Sequence, residues 1–217
     1  MSLVLIVSKT KMHEGRVCVG GIDLENHVSV RLHDEDGYHE TEESCEYEVR
    51  DVWNIDYEYN STRPMPHCNE DVNVHIKIKK GVLRDDYSML DVLNRFNFNY
   101  YEGGIENIFS GMMMTNDNGK MYISFPNVPD HSTCFWICDK PLRRKIFTRP
   151  NNKQKILYSY PSIGFRYGID IPYVGLEQPI ERIPAGTLIR LSLAHWWSPK
   201  DKPDEEERCY LQLSGWY

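Results

Sequence analysis

The chain has 217 residues, 41% of them hydrophobic and 26% charged, with a formal net charge of −7. That apolar content supports a globular core, and the length suits one large domain or two small ones. An acidic balance argues against a generic polyanion binder, and no stretch approaches the roughly 20 apolar residues of a membrane-spanning helix.

Charge is uneven along the chain. Residues 1–83 carry 9 Lys+Arg against 16 Asp+Glu, residues 84–118 carry 2 against 6, and residues 119–217 carry 14 against 10. An acidic first half therefore precedes a basic second half.

The first strand is expected over residues 3–8. Its apolar run, Leu3 to Val7, is too short for the core of an export signal, and Ser8-Lys9-Thr10-Lys11 follows at once. A cytoplasmic location is expected. The six cysteines, at 18, 45, 68, 134, 138 and 209, then read as buried free thiols.

A second strand is expected over 16–22, a hairpin loop over 23–26, and a third strand over 28–32, where Val28, Val30 and Leu32 alternate with Ser29 and Arg31. Residues 33–50 are acidic and read as a long surface loop. Beyond Pro64 and Pro66 comes the clearest strand, 72–79. Its Val72, Val74, Ile76 and Ile78 share one face, Asn73, His75, Lys77 and Lys79 the other, and Gly81 ends it.

The period then changes. Met89, Val92 or Leu93, and Phe96 recur at helical spacing, with Asp85 or Asp86 available as N-cap. Ile105, Ile108, Phe109 and Met112 repeat at i, i+3, i+4 and i+7. Two short helices are expected across 85–112. The β pattern returns over 121–125, 133–138, 156–160, 164–169, 187–196 and 208–214, and the acidic loop 198–207 closes the last pair as a hairpin. The chain is thus mainly β: two small barrels, 1–81 and 119–217, joined by a short helical connector over 82–118.

Two stretches carry a family resemblance. One is Val4-Leu5-Ile6-Val7-Ser8-Lys9-Thr10-Lys11 through Gly15-Arg16-Val17-Cys18-Val19-Gly20-Gly21-Ile22-Asp23. The other is Thr187-Leu188-Ile189-Arg190-Leu191-Ser192-Leu193-Ala194-His195-Trp196-Trp197 with Arg208-Cys209-Tyr210-Leu211-Gln212-Leu213-Ser214-Gly215-Trp216-Tyr217. Together they resemble the bacterial family described as the dual OB-containing domain. The resemblance implies two OB-like barrels and a nucleic-acid or ligand-binding role. The family's third strand reads as a Trp-Val-Arg-Pro type; here Ser29-Val30-Arg31-Leu32 keeps Arg31, which becomes a ligand-binding candidate, and lacks the Trp and the Pro.

The strongest binding feature in the residues themselves is the run 140–155, with Lys140, Arg143, Arg144, Lys145, Arg149, Lys153 and Lys155. Aromatic strands follow, in which Tyr158 and Tyr160 share a face, as do Phe165 and Tyr167. Cations that track phosphates beside rings that stack bases form a single-strand platform; a solvated basic loop beside core aromatics is the plainer reading. Trp196-Trp197 adds a second feature, with one ring expected inside and the other exposed, for ligand stacking or for interface packing.

No metal is expected. His131, Cys134 and Cys138, even with His67, Cys68 and Cys45, lack the paired short knuckles of a structural zinc site. Asp34-Glu35-Asp36 reads as a solvated loop. Gly20-Gly21 and Gly103-Gly104 are bare pairs without a phosphate-loop motif, and Cys18 with His13 or His27 forms no ordered catalytic set. The expectation is a non-catalytic module without a cofactor. It binds single-stranded nucleic acid or another anionic ligand through the basic half, or else a protein partner through the acidic half.

Overall fold

The computed structural model describes residues 1–148, 152–162, 168–199 and 206–217, in two units: Met1–Asn99 with Tyr217, and Tyr100–Trp216. No helix among the described residues is long and apolar enough to cross a membrane.

In the first unit, β1 (Ser2–Lys11), β2 (Val17–Asp23), β3 (Val28–His33), β4 (Asp51–Tyr59) and β5 (Asp71–Val82) close a barrel in the order β1-β2-β3-β5-β4. Only β3 and β5 run parallel; the other pairs are antiparallel. Alternating Val17, Val19, Val30 and Leu32 supply buried side chains. Gly21 is required at its position, because a Cβ there would lie 2.5 Å from Val4 Cγ1. At the turn after β2, the Asp23 carboxylate accepts from the backbone N–H groups of Glu25 and Asn26, and the Tyr57 hydroxyl donates to it at 2.7 Å. Burial opposes ionisation of that carboxyl, but these donors outweigh it and hold its pKa below the ordinary value. The Tyr217 hydroxyl donates to the Val7 carbonyl.

Two features of this barrel differ from the sequence reading. β4 was not expected, although Trp53, Ile55 and Tyr57 alternate with Val52, Asn54 and Asp56 and bury Trp53 and Ile55. Asn54, Asp56 and Glu58 interrupt its apolar residues, so no alternation stands out between the acidic loop and Pro64. The second difference lies in β5. Tyr57 pairs with Val74 but Asp56 pairs with Ile76, so His75 is an extra residue in a β-bulge. Beyond it the faces exchange. Ile76 and Ile78 turn outward, 50% and 46% exposed, while Lys77 and Lys79 lie over the rings of Tyr47 and Trp53 at 4.6 and 5.9 Å.

The helix expected next is α1 (Met89–Arg95), which buries Met89, Val92 and Leu93. Its N-cap is Ser88 rather than Asp85 or Asp86. The Ser88 hydroxyl accepts from the Asp91 N–H, and the Asp91 carboxylate accepts from the Ser88 N–H. The second expected helix is a 3-10 turn, Ile105–Gly111, broken by non-helical backbone at Ile108, Phe109 and Ser110. Ile105, Ile108 and Phe109 still reach the interior while Met112 is exposed, so helical spacing marked three of the four positions but not the backbone.

The second unit contains β6 (Tyr101–Gly103), β7 (Met114–Thr115), β8 (Met121–Ile123), β9 (Thr133–Cys138), β10 (Leu142–Thr148), β11 (Gln154–Tyr160), β12 (Ile169–Pro172), β13 (Arg182–Ile183), β14 (Leu188–Leu193) and β15 (Cys209–Trp216). They form a sheet β12-β11-β10-β13 and a sheet β6-β9-β14-β15-β8-β7. A parallel bridge from Tyr173 to Leu213 links β12's end to β15. If β9 and β10 are taken as one strand interrupted at 139–141, the pairing order repeats that of the first barrel. First pairs second, second third, third fifth in parallel, fifth fourth, and fourth first. Trp136, Tyr158, Tyr160, Ile189, Leu191, Leu211 and Leu213 are central to its core.

The basic run is therefore not a loop. Residues 142–148 are a strand, and with β11 they make a hairpin. Of the strand expected over 164–169, only Gly168 and Ile169 are among the described residues.

Candidate nucleic-acid interface

Strand alternation sorts the hairpin's side chains into two faces. Leu142 is buried, and across the register from that side of β10 lie buried Tyr158, Ile171 and, on the edge strand, Ile183. The opposite, outward face carries Arg143, Lys145 and Phe147 from β10. Facing them are Ser159, Leu157 and Lys155 from β11, Asp170 and Pro172 from β12, and Arg182 from β13. Four cations and one ring thus share a face whose only acid is Asp170.

Lys145 is partly neutralised, with its Nζ 2.9 Å from Asp170 Oδ1. Arg143 and Arg182 are both exposed and sit directly opposite each other on neighbouring strands. Like charges in that relation repel, and among the described residues neither arginine has an ion-pair partner. Phe147, 53% exposed, lies across from Lys155 near the tip of the hairpin. The arrangement offers cations along a strand-wide track, with an aromatic ring at one end.

The structure redistributes the other candidates. Tyr158 and Tyr160 are core residues and present no ring to a ligand. The Tyr158 hydroxyl donates to the Ile180 carbonyl and that of Tyr160 to the Asp139 carboxylate, each at 2.7 Å. Lys140 sits over the Tyr160 ring, 3.9 Å from Asp139. Arg144 lies on the Leu142 side of its strand and donates to the Pro179 carbonyl. Lys153 is exposed near the hairpin tip. Arg149, Phe165 and Tyr167 lie outside the described residues.

Arg31 is not a surface ligand group. It is buried, with Nη1 3.1 Å from Asp71 Oδ1, and the same carboxylate is approached by His33 at 3.6 Å and Arg63 at 3.8 Å. Parallel pairing sets Arg31 beside Asp71. No group of three His, Cys, Asp or Glu side chains among the described residues is arranged to hold a metal ion.

Trp196 is half-buried against the core, while Trp197 is 54% exposed. Trp196 stacks on Phe125 at 4.7 Å with an interplanar angle of 12°. Sequence reading missed Phe125, whose only local mark is the Phe125-Pro126 pair at a strand's end. It also missed Arg182, which no local pattern singles out; only strand pairing places it beside Arg143.

A five-stranded barrel with this pairing order is the OB architecture. There the face of strands two and three, with the loops joining strands one to two and four to five, takes oligonucleotides and oligosaccharides. In the second barrel those parts are β11 and β12, the 149–153 connection, and the segment after β14. The chain belongs to the family described as the dual OB-containing domain, whose model matches residues 3–216. No curated protein and no solved structure matches it.

Proposed function

We propose that the protein is a non-catalytic module that binds a nucleic-acid strand through the outward face of β10, β11 and β13. The observation that carries this reading is the exposed Arg143–Arg182 pair, whose mutual repulsion a bound phosphate relieves. Lys155 and Phe147 extend the same face, and through β11 it adjoins the ligand side of an OB barrel.

The test is a titration of a labelled single strand of about 15 nucleotides between roughly 50 and 200 mM salt. Three phosphate contacts, from Arg143, Lys155 and Arg182, predict a loss of roughly twentyfold in affinity over that range. Joint replacement Arg143→Glu and Lys155→Glu lowers the affinity and flattens the salt dependence. Absence of binding by the wild type near 50 mM salt overturns the proposal.

A second reading, a protein partner on the acidic first barrel, is favoured by one observation: Ile76, Ile78 and Val82 of β5 are all exposed. Persistent capture of a protein partner that is lost on Ile76→Ser and Ile78→Ser would support it.

A further inference from the structure

We infer that Phe125, Trp196 and Trp197 form a base-stacking subsite, so that the second barrel selects strands with unpaired bases over polyanions in general. The inference rests on the nucleic-acid reading above and adds to it a separate surface with a separate chemistry.

The subsite is built from two places in the chain. The connection after β14 delivers Trp196 and Trp197, and the turn after β8 delivers Phe125. Trp197 and Arg208 exchange backbone hydrogen bonds at 3.1 and 3.0 Å, which pins the base of the 198–207 segment and fixes where Trp197 stands. Trp196 is anchored by packing against the core and meets Phe125 as a near-parallel stack. One face of Phe125 is taken by Trp196, yet the residue is 63% exposed, so its other face is open to solvent. Two parallel rings with an open outer face accept a third flat ring without rearrangement. Trp197, the next residue in the chain, offers a second exposed ring, 6.2 Å from Tyr210.

Both exposed large apolar groups here, Phe125 and Trp197, are rings. A nucleobase stacks on flat ring faces standing in solvent whatever its sequence. Among the described residues the patch also has no cation to spare. The Arg208 guanidinium lies over the Tyr122 ring at 4.4 Å and donates to Glu206 at 3.0 and 3.1 Å. Its contribution to binding is therefore independent of salt, unlike that of the Arg143–Arg182 face.

The experiment compares two labelled strands on the full chain: an oligothymidylate of about 15 nucleotides and an abasic strand with the same number of phosphates. The wild type binds the oligothymidylate roughly tenfold to a hundredfold more tightly, and only that strand quenches tryptophan emission. Joint replacement Phe125→Ala and Trp197→Ala removes the preference and leaves the salt dependence and the thermal midpoint unchanged, since both rings are mostly outside the core. The Arg143→Glu, Lys155→Glu variant does the reverse, lowering salt dependence while keeping the preference. Equal affinity of the wild type for both strands overturns the stacking subsite and leaves the phosphate face standing. Failure to bind either strand overturns both.

Discussion

The two barrels share a strand order and differ in the chemistry of their outward sides. In the first, Arg31 and His33 on the outward side of β3 are buried around Asp71 of β5, with the His39 ring 4.3 Å from that of His33. In the second, the outward positions of β10, β11 and β13 leave Arg143, Phe147 and Arg182 in solvent. Net charge follows the same division. Residues 1–99 hold 11 Lys+Arg against 19 Asp+Glu, and residues 100–216 hold 14 against 13. Two copies of one topology thus separate two tasks: one turns its ionic groups into internal structure, the other keeps them available. A fold of this kind supplies a frame, and the side chains at the outward register positions decide its use.

The largest effect should come from breaking the internal cluster. Replacing Asp71 with Ala removes the carboxylate that Arg31 faces in a buried setting, with an expected loss of about 3 to 5 kcal/mol. Urea denaturation measures it, and a loss below about 1 kcal/mol would mean that water or other groups solvate Arg31 there. No comparable loss is expected for Arg143→Ala in the second barrel, because exposed charges contribute little to stability.

An intermediate effect separates core from interface within the second barrel. Tyr158→Phe deletes the bond to the Ile180 carbonyl and should cost about 1 kcal/mol while leaving oligonucleotide affinity unchanged. Phe147→Ala should do the opposite, sparing stability and weakening binding. An affinity loss in Tyr158→Phe without destabilisation would return that ring to the binding surface.

The smallest effect is a pH dependence that Asp23 gives the first barrel. The folded-state pKa of Asp23 lies below its unfolded value of about 3.9. Its contribution is therefore fully present above that value and is lost as pH falls through the depressed folded pKa. Denaturation curves at pH 6 and on acidification should show this loss in the wild type and a shallower one in Asp23→Asn. Equal acid sensitivity of the two proteins would assign the effect to other carboxylates.

Much of the architecture is legible in the residues. Period-two alternation marks β2, β3 and the start of β5, and the shift to helical spacing marks α1. β4 and β10 are obscured for a common reason: charged and polar residues interrupt their apolar ones and make a half-buried strand resemble a polar loop. The turned face of Ile76 and Ile78 depends on a backbone bulge that has no side-chain signature. For the site, the run from Arg143 to Lys155 is visible as composition, but its division into two faces requires the register with β11. Tyr158 and Tyr160 share parity with Ile156 on the apolar side of β11, so their burial was available to a reading that weighed the whole strand.

The His75 bulge sets which side chains the far half of β5 shows to solvent, with one inserted position. Removing His75 would make Ile76 the direct neighbour of inward-facing Val74 and leave Ile76 and Ile78 outside; drawing His75 into the ladder, a one-residue slip against β4, would carry them inward and put Lys77 and Lys79 outside. One register step of β5 against β4 thus separates a greasy exterior from a cationic one, so the pairing of these two strands, and not their composition, decides what the first barrel shows there.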